Sequence, residues 1–142
     1  LFDRYVLVKQ GADLHTSTLV QGQVGTYIDL YGLDQNIQRV IAVYRERRDL
    51  MMGILERELP EGVTFTRPEG GLFLWVTFPG RVNARELLQA CLERDVAFVP
   101  GGAFFPDTGH ENTARLNFSC MPPERIEEGS RRFCKVVREF LG

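Results

Sequence analysis

Residues Ala114 to Ser119 alternate without a break, and that pattern commits them to a strand with one buried face. Ala114, Leu116 and Phe118 fall on one side; Arg115, Asn117 and Ser119 fall on the other. The preceding stretch, Gly101-Gly102-Ala103-Phe104-Phe105-Pro106, reads as a glycine-hinged loop able to come close to a ligand. Arg115 thus stands on a polar face just past that loop. A guanidinium is a planar, permanently charged fork that meets a carboxylate with two parallel hydrogen bonds. Arg115 is therefore the candidate anchor for the carboxylate of a small amino or keto acid. The same pattern also describes an ordinary half-solvated sheet, in which such an arginine is merely wet. Pattern alone leaves both readings open.

The segments around this strand give the architecture. Val63 to Thr66 reads as a strand, Pro68-Glu69-Gly70-Gly71 as a turn, and Leu72 to Phe78 as a second, aromatic-rich strand. A hairpin-like pair is predicted there. Asn83, with Glu86 three residues on, has the spacing of a capping box and opens a helix striped by Leu87, Leu88, Cys91 and Leu92. Val96 to Val99 is a short buried strand. Asp107 to Asn112 is a polar loop, expected at the surface and mobile. Phe104, Phe105 and Leu72 are assigned to the hydrophobic core rather than to a pocket. Pro122-Pro123 starts the last helix, whose Ile126, Phe133, Val137 and Phe140 form a buried face. Strand, strand, helix, strand, strand, helix predicts an α+β fold. We expect a small two-layer sandwich with a short, mostly antiparallel sheet and helices on one face.

One or two long helices precede that unit. Asp34 to Leu59 is the clearest, with Ile37, Val40, Ile41, Tyr44, Met51, Ile54 and Leu55 in its stripe. The charged run Arg45 to Asp49 is expected to be a solvated face with pairs four residues apart. Asp13 to Tyr31 reads as another helix, with Gly11 breaking the one before it. The predicted division is 1–33, a helical segment belonging to a larger domain or an interface, and 34–142, a small C-terminal domain. Around His15-Thr16-Ser17-Thr18 several hydroxyls lie near a helix start. They read as N-terminal caps or, less simply, as a phosphate contact.

Composition narrows the partners. The formal net charge of -2 gives no basic face for nucleic acid. No apolar run is long enough to span a bilayer, and a cytoplasmic location is expected. The 3 cysteines, Cys91, Cys120 and Cys134, lack framework spacing, and Cys91 and Cys134 fall on apolar helix faces as buried thiols. The 2 histidines are far apart, so no metal site is expected.

Three segments together resemble a known family. Pro68-Glu69-Gly70-Gly71-Leu72-Phe73-Leu74-Trp75-Val76, then Val99-Pro100-Gly101-Gly102-Ala103-Phe104-Phe105, then Arg115-Leu116-Asn117-Phe118-Ser119 occur in this order and spacing. The same order is found in the C-terminal part of class I/II, fold type I, pyridoxal-phosphate-dependent aminotransferases. Asp13-Leu14-His15-Thr16-Ser17 is similar to the branch of 2-aminoadipate and aromatic aminotransferases.

The resemblance implies that Arg115 binds the substrate α-carboxylate, in a small domain that closes over an amino acid or 2-oxo acid. Asn117 and Gly71 are further candidate substrate contacts. Thr16 and Ser17 are candidates for the cofactor phosphate, and the family works as a homodimer. It also requires a Schiff-base lysine. Lys9 and Lys135 are the chain's lysines, and neither lies in a context like the family's lysine motif. The chain also opens without an initiator methionine. It is therefore expected to be the C-terminal fragment of such an enzyme, with no catalytic residue of its own and inactive alone. Two alternatives stay open. One is the effector domain of an aminotransferase-like transcriptional regulator; the other is a non-catalytic binding or dimerisation module.

Overall fold

Two alternating segments pair at the centre of the sheet. β2 (Phe73–Thr77) and β4 (Thr113–Asn117) run antiparallel, with Trp75 opposite Arg115 and Leu74 opposite Leu116. The short β1 (Thr64–Phe65) pairs with β2, and the short β3 (Val99–Pro100) pairs with β4, both antiparallel. The order across the sheet is β1-β2-β4-β3. Period-two alternation gives this sheet two different faces. Leu74, Val76, Ala114 and Leu116 point inward and are buried. Phe73, Trp75, Arg115 and Asn117 point to the open face.

The structure, a computed structural model, describes residues 1–142 in two compact units, Leu1–Val40 and Ile41–Gly142. In the second unit the inward face is covered by helices. These are the C-terminal half of α3 (Leu33–Glu58), α4 (Ala84–Leu92) and α5 (Pro123–Leu141). Met51, Leu55, Leu87, Cys91, Phe133 and Val137 join the strand residues in one core. Phe133 packs against Phe78 at 6.3 Å and edge-on against Phe98 at 5.8 Å. Pro123 opens α5 with a φ already suited to a helix. The fold is thus the two-layer α+β arrangement with an antiparallel sheet and helices on one face.

The first unit contains α1 (Phe2–Asp13), α2 (Thr18–Tyr31) and the start of α3. No residue of α1 or α2 is buried. No helix is long and apolar enough to cross a membrane.

Several local expectations need correction. Gly11 does not break α1, which runs on to Asp13; a single glycine only weakens a helix. Asn83 caps α4 by accepting from the Arg85 amide at 2.9 Å, but Glu86 makes no reciprocal bond, so the box is half formed. The run Arg45 to Asp49 is not a ladder of spaced pairs. Arg47 donates to the Ser119 carbonyl, and Arg48 donates to the Pro68 carbonyl at 3.0 Å and to neighbouring Asp49. These arginines tie α3 to the turns at the ends of β2 and β4. The loop before β4 is at the surface but anchored at its end. Asn112 exchanges hydrogen bonds with Phe78, and the Glu111 carbonyl accepts from Ala84.

Candidate functional site

The open face of the sheet carries Arg115. Trp75 and Val99 are its direct neighbours on β2 and β3, and Phe73 is diagonal to it on β2. Its guanidinium carbon lies 4.1 Å from the centre of the Phe73 ring and 4.7 Å from that of Phe104. Phe104 belongs to a tight 3-10 turn, Gly101–Phe104, that follows β3 directly.

Glycine is needed at the start of this turn. A Cβ on Gly101 would stand 2.1 Å from Thr113 Oγ1 and 2.6 Å from the Trp75 ring. The backbone therefore lies flat on Trp75 and Thr113, and the Thr113 hydroxyl donates to the His110 carbonyl at 2.7 Å. Trp75 in turn meets the rings of Phe104 and Phe105 edge-on, each at 5.7 Å. Phe105 stacks on His110 at 3.8 Å, and His110 lies 3.4 Å from Asp107. The expected close approach of the glycine loop is thus real, but what it approaches is the chain's own tryptophan.

The phenylalanines correct the sequence reading. Phe104 is 48% exposed, Leu72 38% and Phe105 only half-buried, so none belongs to the core. Phe104 lies beside Arg115, and Phe105 meets Trp75. An aromatic-rich strand can bury either face, and here Leu74 and Val76 fill the inward one, which leaves Phe73 and Trp75 outside.

Charge placement distinguishes Arg115 from the other arginines. Four arginines are half-buried: Arg47, Arg48, Arg115 and Arg132. Arg47 and Arg48 are held by backbone carbonyls, and Arg132 by Glu128 and Asp95. The Arg115 side chain makes neither an ion pair nor a hydrogen bond, so the donors of its guanidinium remain available. A half-buried guanidinium with free donors beside exposed rings is suited to an anionic, planar ligand group such as a carboxylate.

The other candidate residues fall differently. Asn117 is on the same face, one alternate position along β4, but its amide oxygen accepts from the Ser119 amide at 2.7 Å and hydroxyl at 2.9 Å. Its amide nitrogen stays free. Gly71 has φ +81° and open space around its missing Cβ, so the Pro68–Gly71 turn needs glycine for its conformation and not for a close approach within this chain. Thr16 and Ser17 lie in the first unit and are exposed. Ser17 stands before α2 without making a capping bond, so simple capping is not its role. The Thr16 hydroxyl is 3.4 Å from Lys9 Nζ.

Both lysines are exposed and carry an acidic partner four residues on. Lys9 is paired with Asp13 at 2.7 Å on the exposed α1, and Lys135 is exposed on α5, 3.9 Å from Glu139. Neither stands in an apolar recess of the kind that would hold a covalent cofactor. No group of three or more His, Cys, Asp or Glu side chains is placed to hold a metal ion.

No protein-family model matches the chain. It is 43% identical over 138 residues to the 2-aminoadipate transaminase of Thermus thermophilus, covering 97% of this chain and 34% of that protein. It is 40% identical over 135 residues to aromatic-amino-acid aminotransferase 1 of Thermococcus litoralis, covering 95% of this chain and 32% of that protein. The chain thus spans about a third of the length of the curated relatives it matches. Among solved structures it matches the α-aminoadipate aminotransferase of Thermus thermophilus, complexed with N-(5'-phosphopyridoxyl)-L-leucine. That likeness has a TM-score of 0.92 and 42% identity over 99% of this chain and 36% of that one.

Proposed function

We propose that this chain, whose sequence and fold are those of the C-terminal part of a pyridoxal-phosphate-dependent aminotransferase, supplies the arm of that enzyme that grips the substrate. The longer protein would transfer an amino group between an amino acid and a 2-oxo acid. In this reading Arg115 binds the α-carboxylate that both substrates share. The observation that carries it is the half-buried, unpaired Arg115 guanidinium on the open face of the sheet, beside Phe73 and Phe104.

The chemistry of transamination belongs to the pyridoxal phosphate, bound in the longer protein. What the residues here contribute is orientation and charge. A two-point contact from Arg115 fixes the carboxylate, and with it the direction of the bond to the α-carbon. The exposed rings around it exclude water and strengthen that contact. The free amide nitrogen of Asn117 and the backbone at Gly71 are proposed as minor contacts to the same substrate. Thr16 and Ser17 are proposed for the cofactor phosphate. The uncapped start of α2 supports this, since first-turn N–H groups favour an anion.

A homodimer is proposed for the longer protein. Supporting it, Leu19, Val20, Val24, Tyr27, Leu30 and Tyr31 of α2 are all exposed. The 142-residue chain alone is proposed to be inactive. The test is turnover by the longer protein with 2-aminoadipate or an aromatic amino acid as donor and a 2-oxo acid as acceptor. Turnover with such a pair upholds the reading; no amino transfer from any amino acid contradicts it.

A further inference from the structure

We propose that Phe73 and Phe104 are positioning residues: their two rings seat the Arg115 guanidinium in the place an acidic partner would otherwise take. This rests on the reading of Arg115 as the carboxylate anchor and deepens it.

An arginine on a sheet face is long and mobile unless something holds it. A carboxylate neighbour would hold it but would also cancel its charge and occupy its donors. A ring face attracts a guanidinium through the ring's quadrupole and takes none of its N–H groups. Both rings lie within contact of Arg115, at 4.1 Å and 4.7 Å. They come from different elements. Phe73 is set by the register of β2 against β4, diagonal to Arg115. Phe104 is set by the turn after β3, and Trp75 braces it edge-on at 5.7 Å, 77° between planes. Trp75 is itself overlaid by Gly101, where no side chain fits. The arginine is thus fixed from two directions while its hydrogen-bonding edge stays empty. Neither ring is core, since Phe73 and Phe104 are 37% and 48% exposed. Their apolar area is instead spent on the cation.

The experiment has two arms. In the longer protein, Phe73→Leu and Phe104→Leu are each expected to raise KM by about threefold to tenfold, with kcat little changed. The factor should be the same for substrates with different side chains, because the carboxylate is common to all. Phe104→Tyr keeps a ring and should restore the parent KM. A factor that follows the substrate side chain, or an unchanged KM in both leucine variants, overturns the proposal. In the 142-residue chain, the Arg115 Nε–H proton should resonate upfield of a free arginine, because it lies over ring faces. Each leucine variant should move it back; an unmoved resonance overturns the proposal. If Arg115→Ala leaves KM unchanged, the carboxylate reading has failed. The resonance then still decides whether the rings seat the arginine.

Discussion

Trp75 and Arg115 face each other directly across the β2–β4 pair, both on the open side of the sheet. The indole of Trp75 lies against the turn that follows β3, meeting Gly101, Phe104 and Phe105. It carries the Gly101–Phe104 turn, and the turn carries a ring to the guanidinium. The geometry of the candidate site therefore depends on how closely backbone can lie on an indole.

Gly101→Ala tests that dependence. The added methyl would overlap Thr113 and Trp75, and neither can withdraw, because one is in the sheet and the other is braced by two rings. We expect a loss of about 1–3 kcal/mol, as for overpacking elsewhere. It should appear as a lower urea midpoint in the 142-residue chain. Gly102→Ala, whose Cβ would meet nothing closer than 3.8 Å, is the control and should change the midpoint little. Equal effects of the two substitutions would contradict this account of the turn.

Much of this was legible beforehand. The alternation of Ala114 to Ser119 gave the strand and its inward side, and Pro123 marked the start of α5. The antiparallel hairpin of β1 and β2 follows from the glycine turn between them. The seat of Arg115 was not legible. Phe73, Trp75 and Phe104 are apolar, and apolar residues in a strand-rich unit are ordinarily assigned to the core. Leu74 and Val76 alternate with Phe73 and Trp75, so β2 is apolar on both faces, and its pattern does not say which face is open. The tethers of Arg47 and Arg48 were missed for a similar reason. Charges next to one another on a helix look like a solvated face until the turns they reach are placed in space.

The Arg48 tether has its own consequence. Its guanidinium donates to the Pro68 carbonyl at 3.0 Å and the Glu69 carbonyl at 3.4 Å, holding the turn ahead of β2. Arg48→Ala should cost about 1 kcal/mol, because the bonds are charge-assisted but partly solvated. Amide exchange should quicken at residues 70–73 more than at β4. Unchanged exchange in that turn would show that the tether holds nothing.

The two core thiols give a pH dependence. Cys91 and Cys134 are fully buried, and burial pushes their pKa values up from 9.0 to about 11 and about 12. The charge of Glu58 adds to the rise at Cys134. In the unfolded chain both thiols lose their protons near pH 9, whereas the folded chain keeps them. The unfolded state then binds fewer protons, so this contribution is whole below about pH 9 and declines as pH rises toward 11–12. Unfolding free energy measured from pH 8 to 10.5 should fall less steeply in a Cys91→Ala, Cys134→Ala variant than in the parent. Parallel slopes would contradict the assignment. Below pH 9 the exposed Cys120 should alkylate readily and the buried pair only on unfolding.

The most direct trial of the whole account is kcat/KM of the longer protein carrying Arg115→Ala, measured beside Arg115→Lys. Removing the two-point contact should lower kcat/KM by about 2–5 kcal/mol, roughly thirtyfold or more, for amino donor and oxo acceptor alike. Lysine should recover little of it, since it is a point charge without the fork. An alanine variant that turns over both substrates at the parent rate would contradict the claim that this guanidinium holds the carboxylate.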